Sequence, residues 1–264
     1  MLEWFHSHSN LQIGALILTS GLIVTTLAPF AVRRYWKLDP SEQIAKGAEE
    51  SFKLFISLTL LLLAFCLVRM QGDHRGTEDL VAREGTVIMK LGRAYDSFGG
   101  PVSEPLQAGL LQYAKLVVSE EWPLLEKGGR SKKVNDVLAG LSVQSKQLNP
   151  ETPAQQVART EIIQSFNQLS DLREARISAS RLKLPTYYWY ALICSFTFFT
   201  AFAWLQNPLP KLLTYVGGVT CGLGLLLTIL IATAGIYSGE SAVTSEAIQS
   251  AVEQLTQIAS GKPR

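Results

Sequence analysis

The amino-acid sequence predicts an all-α, polytopic membrane protein: four transmembrane helices forming two hairpins, with a helical soluble domain inserted between them. Three observations carry this. Of 264 residues, 47% are hydrophobic and 17% charged, with a mean hydropathy of +0.18. The apolar residues gather in four nearly uncharged segments, residues 11–32, 52–68, 186–206 and 212–237. Each has the roughly 17 to 25 residues that a helix needs to cross a bilayer core. The stretch between the hairpins shows no strand-like alternation, and its breakers space out helices instead. Charge this sparse, with a net +2, argues against a soluble globular enzyme, an acidic disordered chain and a nucleic-acid binder with a broad basic face.

The expected divisions are a hairpin in residues 1–69, a helical domain in 70–185, a second hairpin in 186–238 and an amphipathic tail in 239–264. The first segment is too long for a secretory h-region and its leader MLEWFHSHSN has no Lys or Arg, so it is expected to stay in the protein. The connection Arg33 to Ser51 has room for a short interfacial helix starting at Pro40 and Ser41, whereas NPLPK makes the third and fourth spans antiparallel neighbours. Between the hairpins, Gly99-Gly100-Pro101, Gly128-Gly129 and Asn149-Pro150 separate helices expected at 73–97, 103–126, 132–147 and 152–184. In the last, Ile162, Phe166, Leu169, Leu172, Ala175, Ala179 and Leu182 form one apolar stripe, and the helix is expected to run into the third span with Pro185 at the joint. In the tail, Ile248, Val252, Leu255 and Ala259 repeat at similar steps and require a partner groove.

Trp4, Phe5, Tyr35, Trp36 and the run Tyr187 to Tyr190 mark membrane borders, where aromatic rings sit at the headgroups. Arg33, Arg34, Lys37 and Lys46 in the first short loop place that loop in the cytoplasm, and the N terminus and helical domain outside. Arg69, Arg75 and Arg83, with Arg173, Arg176, Arg181 and Lys183, pull the other way by placing charge at both ends of the domain.

No nucleophile elbow, zincin helix, P-loop or dinucleotide fingerprint occurs, so no enzyme and no cofactor are expected. His6, His8 and His74 lack companion ligands, and Cys66, Cys194 and Cys221 lie within apolar segments without metal spacing, so no metal site is expected. Only Lys53 intrudes on a span, which disfavours proton coupling through membrane carboxylates. On the second span, Phe52, Phe55, Thr59, Leu62 and Cys66 share one face at steps of three and four. Repeated around a ring they would make a narrow apolar constriction; alternatively they face lipid or neighbouring helices. Gly218 and Gly222 form a GxxxG pair suited to close helix packing. Glu120 and Glu121 precede Trp122 and Pro123, and these carboxylates are expected to pair with Arg173 or Arg176 on the long helix, as a structural brace rather than a ligand or ion site. With Arg181 and Lys183, those arginines form a basic collar at a pore mouth, or else they bind lipid phosphates or make salt bridges.

The run YAKLVVSEEWPLL (Tyr113 to Leu125), with LGRAYDSFGGP before it and RISASRLKLPTYYWYAL after it, resembles the bestrophin-like domain family of bacterial membrane proteins. The resemblance spans about Ser41 to Tyr237 and implies two N-terminal spans, a helical middle with a Glu-Trp-Pro motif, and two C-terminal spans. It implies a place in the bacterial inner membrane and a likeness to bestrophins, pentameric anion channels whose second helix lines the pore. It therefore implies a homo-oligomer, with small anions and membrane lipids as partners and no nucleic acid. Bestrophins keep their helical region in the cytosol, and no acidic cluster here resembles their calcium clasp. The alternative function is a non-conducting, membrane-anchored interaction or stress-sensing protein acting through its helical domain.

Overall fold

The computed structural model describes residues 10–36, 40–182, 184–206, 210–237, 239 and 241–259, and these are helical or irregular, with no strand among them. The expected leader features at Trp4, Phe5, His6 and His8, the collar residue Lys183 and most of the NPLPK turn lie outside the described residues. Among the described residues, four helices are long and apolar enough to cross a membrane: Leu11–Tyr35, Glu42–Phe98, Thr186–Leu205 and Thr214–Thr233.

The chain divides into two compact units, Met1–Gly72 with Lys183–Ala242, and Asp73–Leu182 with Val243–Arg264. The first begins with α1 (Asn10–Leu22), a five-residue π turn (Ile23–Leu27) and α2 (Ala28–Trp36). In the π turn the Ala28 N–H reaches back to the Ile23 carbonyl, which takes the Val24 carbonyl out of the regular ladder. The indole Nε1–H of Trp204 donates to that carbonyl at 2.8 Å, and Arg33 donates to the Trp204 carbonyl. An orphaned acceptor in a span is thereby satisfied from a neighbouring helix, as a medium without water requires.

The α3 helix (Glu42–Phe98) is one element of 57 residues, about 85 Å at the α-helical rise. Its start after Pro40-Ser41 matches the expected signal, but it does not remain a short interfacial helix, and no break separates the second span from the expected helix at 73–97. Nothing in the sequence there forces an end: Gly72 and Gly76 are tolerated in a helix and no proline intervenes. The membrane helices α8 (Thr186–Leu205) and α9 (Pro210–Thr233) complete this unit. Its core joins Phe52, Leu63, Cys66 and Met70 of α3 to Leu192 and Phe199 of α8 and Leu223 and Leu230 of α9.

In the second unit, α4 (Ser103–Leu116), a π turn (Val117–Glu121) and α5 (Trp122–Leu125) are followed by α6 (Lys132–Lys146) and α7 (Pro153–Ala179). Gly99 and Gly100, at φ of 66° and 74°, turn the chain after α3 in a conformation that costs residues with a Cβ. A reciprocal capping box, Thr152 with Gln155, starts α7. This helix ends at Ala179 rather than running into the third span, which starts afresh after Pro185. Its buried face differs from the expected stripe, too: beyond Leu169 it continues through Arg173 and Arg176, while Leu182 is exposed. The tail helix α10 (Glu246–Ala259) finds its groove inside this unit, burying Ile248, Ala251 and Leu255. It meets α4 and reaches α3, where Gly85 and Gly92 leave room for Ala247 and Leu255.

Candidate functional site

Pro123 shapes the Glu-Trp-Pro motif. Without an N–H, and with a ring that crowds the carbonyl four residues earlier, it disfavours a regular turn. The chain widens into the π turn Val117–Glu121, where the Trp122 N–H reaches the Val117 carbonyl. Glu121 is buried in this turn, whereas Glu120 remains half-buried and pairs with Lys133 at 2.6 Å.

Around Glu121 stand the two arginines of α7 and one carboxylate of α3. Arg173 donates through Nε and Nη2 to the Glu121 carboxylate at 3.1 and 2.7 Å. Arg176 Nη2 donates to Glu121 Oε2 at 2.9 Å, while its Nε donates to Glu84 Oε2 at 2.6 Å. Tyr113 donates its hydroxyl to Glu84 Oε1 at 3.3 Å, and the Ser131 N–H donates to Glu121 Oε1 at 3.2 Å. Ser131 also caps α6, so one carboxylate ties a helix start into the network. The Arg176 guanidinium lies over the Trp122 indole, 5.4 Å from the ring centroid, within cation–π range. All four ionic side chains are at most 2% exposed.

Two carboxylates and two guanidiniums balance, so the cluster carries no net charge with which to draw in an ion. Glu84, which the sequence reading does not single out, is the hub between α3 and α7. A signal for it exists: it follows Thr77 and Val81, and precedes Ile88, Leu91 and Tyr95, on the buried stripe of α3. Arg173 and Arg176 consequently do not form the expected collar, because neither is available to a lipid phosphate or a passing anion. Arg181 is exposed and donates Nε to the Gly128 carbonyl at 3.2 Å. The arrangement braces α3, α4 and α7 and holds the start of α6. Among the described residues, no group of three or more His, Cys, Asp or Glu side chains is placed to hold a metal ion.

Burial alone raises the proton affinity of Glu121, but the Arg173 hydrogen bond and the charges of Arg176 and Arg173 outweigh it and hold the carboxyl below its ordinary 4.5. Burial raises the Tyr113 hydroxyl well above its ordinary value, so it remains a donor. A carboxyl bound more weakly to its proton in the folded state stabilises fully above its unfolded pKa and loses that contribution as pH falls through the folded one. The thermal midpoint of the purified protein should therefore fall once the pH drops below about 4.5. Glu121→Gln, measured over the same range, should show a shallower acid slope.

On the second span, the structure separates the expected constriction residues. Phe52, Thr59 and Cys66 are fully buried within the protomer. Phe52 stacks on Phe199 with centroids 4.9 Å apart, and Thr59 shares a hydrogen bond of 2.5 Å with Ser195. Phe55 and Leu62 are half-buried, with Phe55 stacked on Phe198 and Phe202 at 5.1 and 5.3 Å. A residue facing an axis shared by several copies must be open on the single chain, and Phe52, Thr59 and Cys66 are not. The open face of the same span is Leu54, Leu58, Leu61, Phe65 and Val68, between 51% and 70% exposed.

The glycines divide similarly. A Cβ at Gly218 or Gly222 would meet nothing within 4 Å, so this pair makes no close packing inside the chain. Gly224 against Leu18, and Gly217 against Leu22 and Thr26, make the approach between α9 and the first span, with Thr25 and Thr220 sharing a hydrogen bond of 2.9 Å.

Three solved structures share this architecture over nearly the whole chain. A bacterial bestrophin homologue from Klebsiella pneumoniae superposes with a TM-score of 0.69 at 9% identity, covering 95% of this chain and 99% of that one. A point variant of a Klebsiella pneumoniae bestrophin homologue gives 0.69 at 10%, covering 97% and 100%. A structure described only as a membrane protein gives 0.67 at 10%, covering 96% and 99%. At such identity the likeness establishes the fold. No curated protein matches by sequence. The sequence profile of the bestrophin-like domain, however, matches residues 51–258, which include the second span, the Glu-Trp-Pro turn, both arginines of the network and the tail helix, and the chain belongs to the bestrophin-like domain family.

Proposed function

We propose that this membrane protein is a homo-oligomeric anion channel of the bacterial inner membrane, in which the second spans of several copies line the pore. The observation that carries the reading is the division of the second span into two faces. One face is packed on α8 and α9; the other leaves Leu54, Leu58, Leu61, Phe65 and Val68 uncovered. A ring of such faces makes an apolar constriction that gates by dewetting and passes weakly hydrated anions. Family membership supports the channel reading, and because Phe52, Thr59 and Cys66 are buried within the protomer, the lining we propose is the opposite face, with Phe55 and Leu62 at its edge. The short-loop charge count favours an external helical domain; a reporter fused at Ser119 tests that orientation directly.

The test is chloride flux in liposomes, with the oligomeric state measured on the same sample. Leu61→Ala and Phe65→Ala should alter flux severalfold, whereas Leu192→Ala, inside the protomer, should act mainly on stability. A well-folded monomer without flux would overturn the channel and return attention to a partner of the helical domain.

A further inference from the structure

The unit that holds the four spans carries a long groove on α8. It has a volume of about 690 Å³ and follows one face of that helix from Trp189 through Phe196 and Thr200 to Trp204, with Leu227 and Ile231 of α9 along its side. At the helical rise its two ends are about 22 Å apart. Ile193 is 60% exposed, and Thr197, Ala201 and Trp204 on the same face are exposed, so no described segment of the chain covers it. Two polar groups on its wall are already committed: Thr197 gives its hydroxyl proton to the Ile193 carbonyl at 2.7 Å, and the Trp204 indole N–H goes to the Val24 carbonyl. An alkyl chain suits such a wall, since it asks for no hydrogen bond.

One end of the groove is cationic. Arg33, half-buried, donates to the carbonyl of Trp204, and Arg34, next in the chain and exposed, shares the last turn of α2 with it. An acyl chain entering at this border reaches the bilayer midplane after about 15 Å, half of a core of about 30 Å, which is about ten residues of α8. That depth takes it past Ala201, Thr200, Thr197 and Phe196, while a phosphate at its head stays level with the arginines.

We infer that this groove is a binding site for an anionic diacyl phospholipid, with one acyl chain laid on α8 between Ile193 and Trp204 and the phosphate on Arg33 and Arg34. Charge complementarity at the Trp204 end selects the occupant: a basic residue at a membrane surface favours an anionic headgroup by about fivefold. The site does not depend on conduction, because it is formed within one protomer and on helices other than the second span.

The experiment is native mass spectrometry of the full-length protein in detergent, which counts the lipids retained by each protomer and reads the oligomeric state in the same spectrum. Phosphatidylglycerol and phosphatidylcholine with identical chains are offered together to the parent, Arg34→Gln and Ala201→Phe, after thermal midpoints show that each is folded. Ala201 is exposed on the groove wall, so a phenylalanine there takes the place of the chain and leaves the protein interior alone. The parent should retain phosphatidylglycerol in preference, Arg34→Gln should lower that preference about fivefold, and Ala201→Phe should lose the retained lipid. Equal retention of both lipids by the parent, an unchanged preference in Arg34→Gln, or full retention in Ala201→Phe would each overturn the inference. Displacement of the lipid by an equal concentration of glycerol phosphate would overturn it too, because the arginines would then hold an anion without help from the groove. A changed oligomeric state in Ala201→Phe would mean that the groove seats a second copy of the chain, which also overturns it.

Discussion

Arg176→Met should destabilise the protein by about 3 to 5 kcal/mol, the cost of removing one partner from a buried ion pair. The loss is one of satisfaction more than of attraction. Arg176 is fully buried and provides both donors that reach Glu84 from α7, as well as one of the three arginine nitrogens on Glu121. Without it, Glu84 retains, among the described residues, the Tyr113 hydroxyl at 3.3 Å, and a fully buried carboxyl is left without its ion-pair partner. The expected readout is a steep fall in the thermal midpoint in detergent, with loss of yield on extraction. A second variant separates this account from general misfolding: Glu84→Leu with Arg176→Met removes the stranded charge, while Glu121 keeps Arg173 and the Ser131 N–H. Replacing both partners of a buried pair by apolar groups of similar size is often neutral, so the double variant should recover most of what the single one loses. A double variant as unstable as Arg176→Met alone would mean that the carboxylate is not the source of the cost.

How much of this network is legible in the sequence depends on the residue. Glu121 and its pairing with the long helix follow from the carboxylates beside Trp122 and Pro123, but the choice of Glu121 over Glu120 does not, because the π turn sets which carboxylate faces inward. Arg173 and Arg176 lie three apart on the Leu169 face, which places them in the core; their nearness to a membrane border leaves a collar, lipid binding and salt bridging all open in the sequence. Glu84 is hidden by its own surroundings, a single carboxylate in an apolar stripe that reads as helix core. The four spans are legible because a bilayer demands long uncharged segments whatever the tertiary fold. The continuity of α3 is not, since the change from apolar to charged residues near Arg69 marks a change of environment and leaves the backbone unbroken. Likewise, the face of the second span that is buried depends on where α8 and α9 pack, and both of its faces are apolar in sequence.

Glycines along α3 should respond to alanine with opposite signs, and the tail helix decides which. At Gly47 and Gly76 an added Cβ meets nothing within 4 Å, so alanine there removes the entropic penalty of glycine in a helix and should stabilise by about 0.5 to 1 kcal/mol. At Gly85 the same atom would stand 2.7 Å from the Ala247 carbonyl oxygen and 3.0 Å from its carbon. Those are backbone atoms of α10, which no rotamer change can withdraw, so Gly85→Ala must lift the start of that helix or shift α3. Overpacking of this kind costs about 1 to 3 kcal/mol, more than the intrinsic gain from alanine. At Gly92 the obstacle is the end of the Leu255 side chain, which can turn aside, so Gly92→Ala should cost less than Gly85→Ala despite the crowding. The measurement is the thermal midpoint of all four variants, together with the rate at which protease cleaves within Glu246–Ala259. Faster cleavage in Gly85→Ala, and no change in Gly76→Ala, would place the cost at the docked helix. Equal stability of those two variants would show that α10 does not hold the close seat on α3 from which its opposite signs are derived.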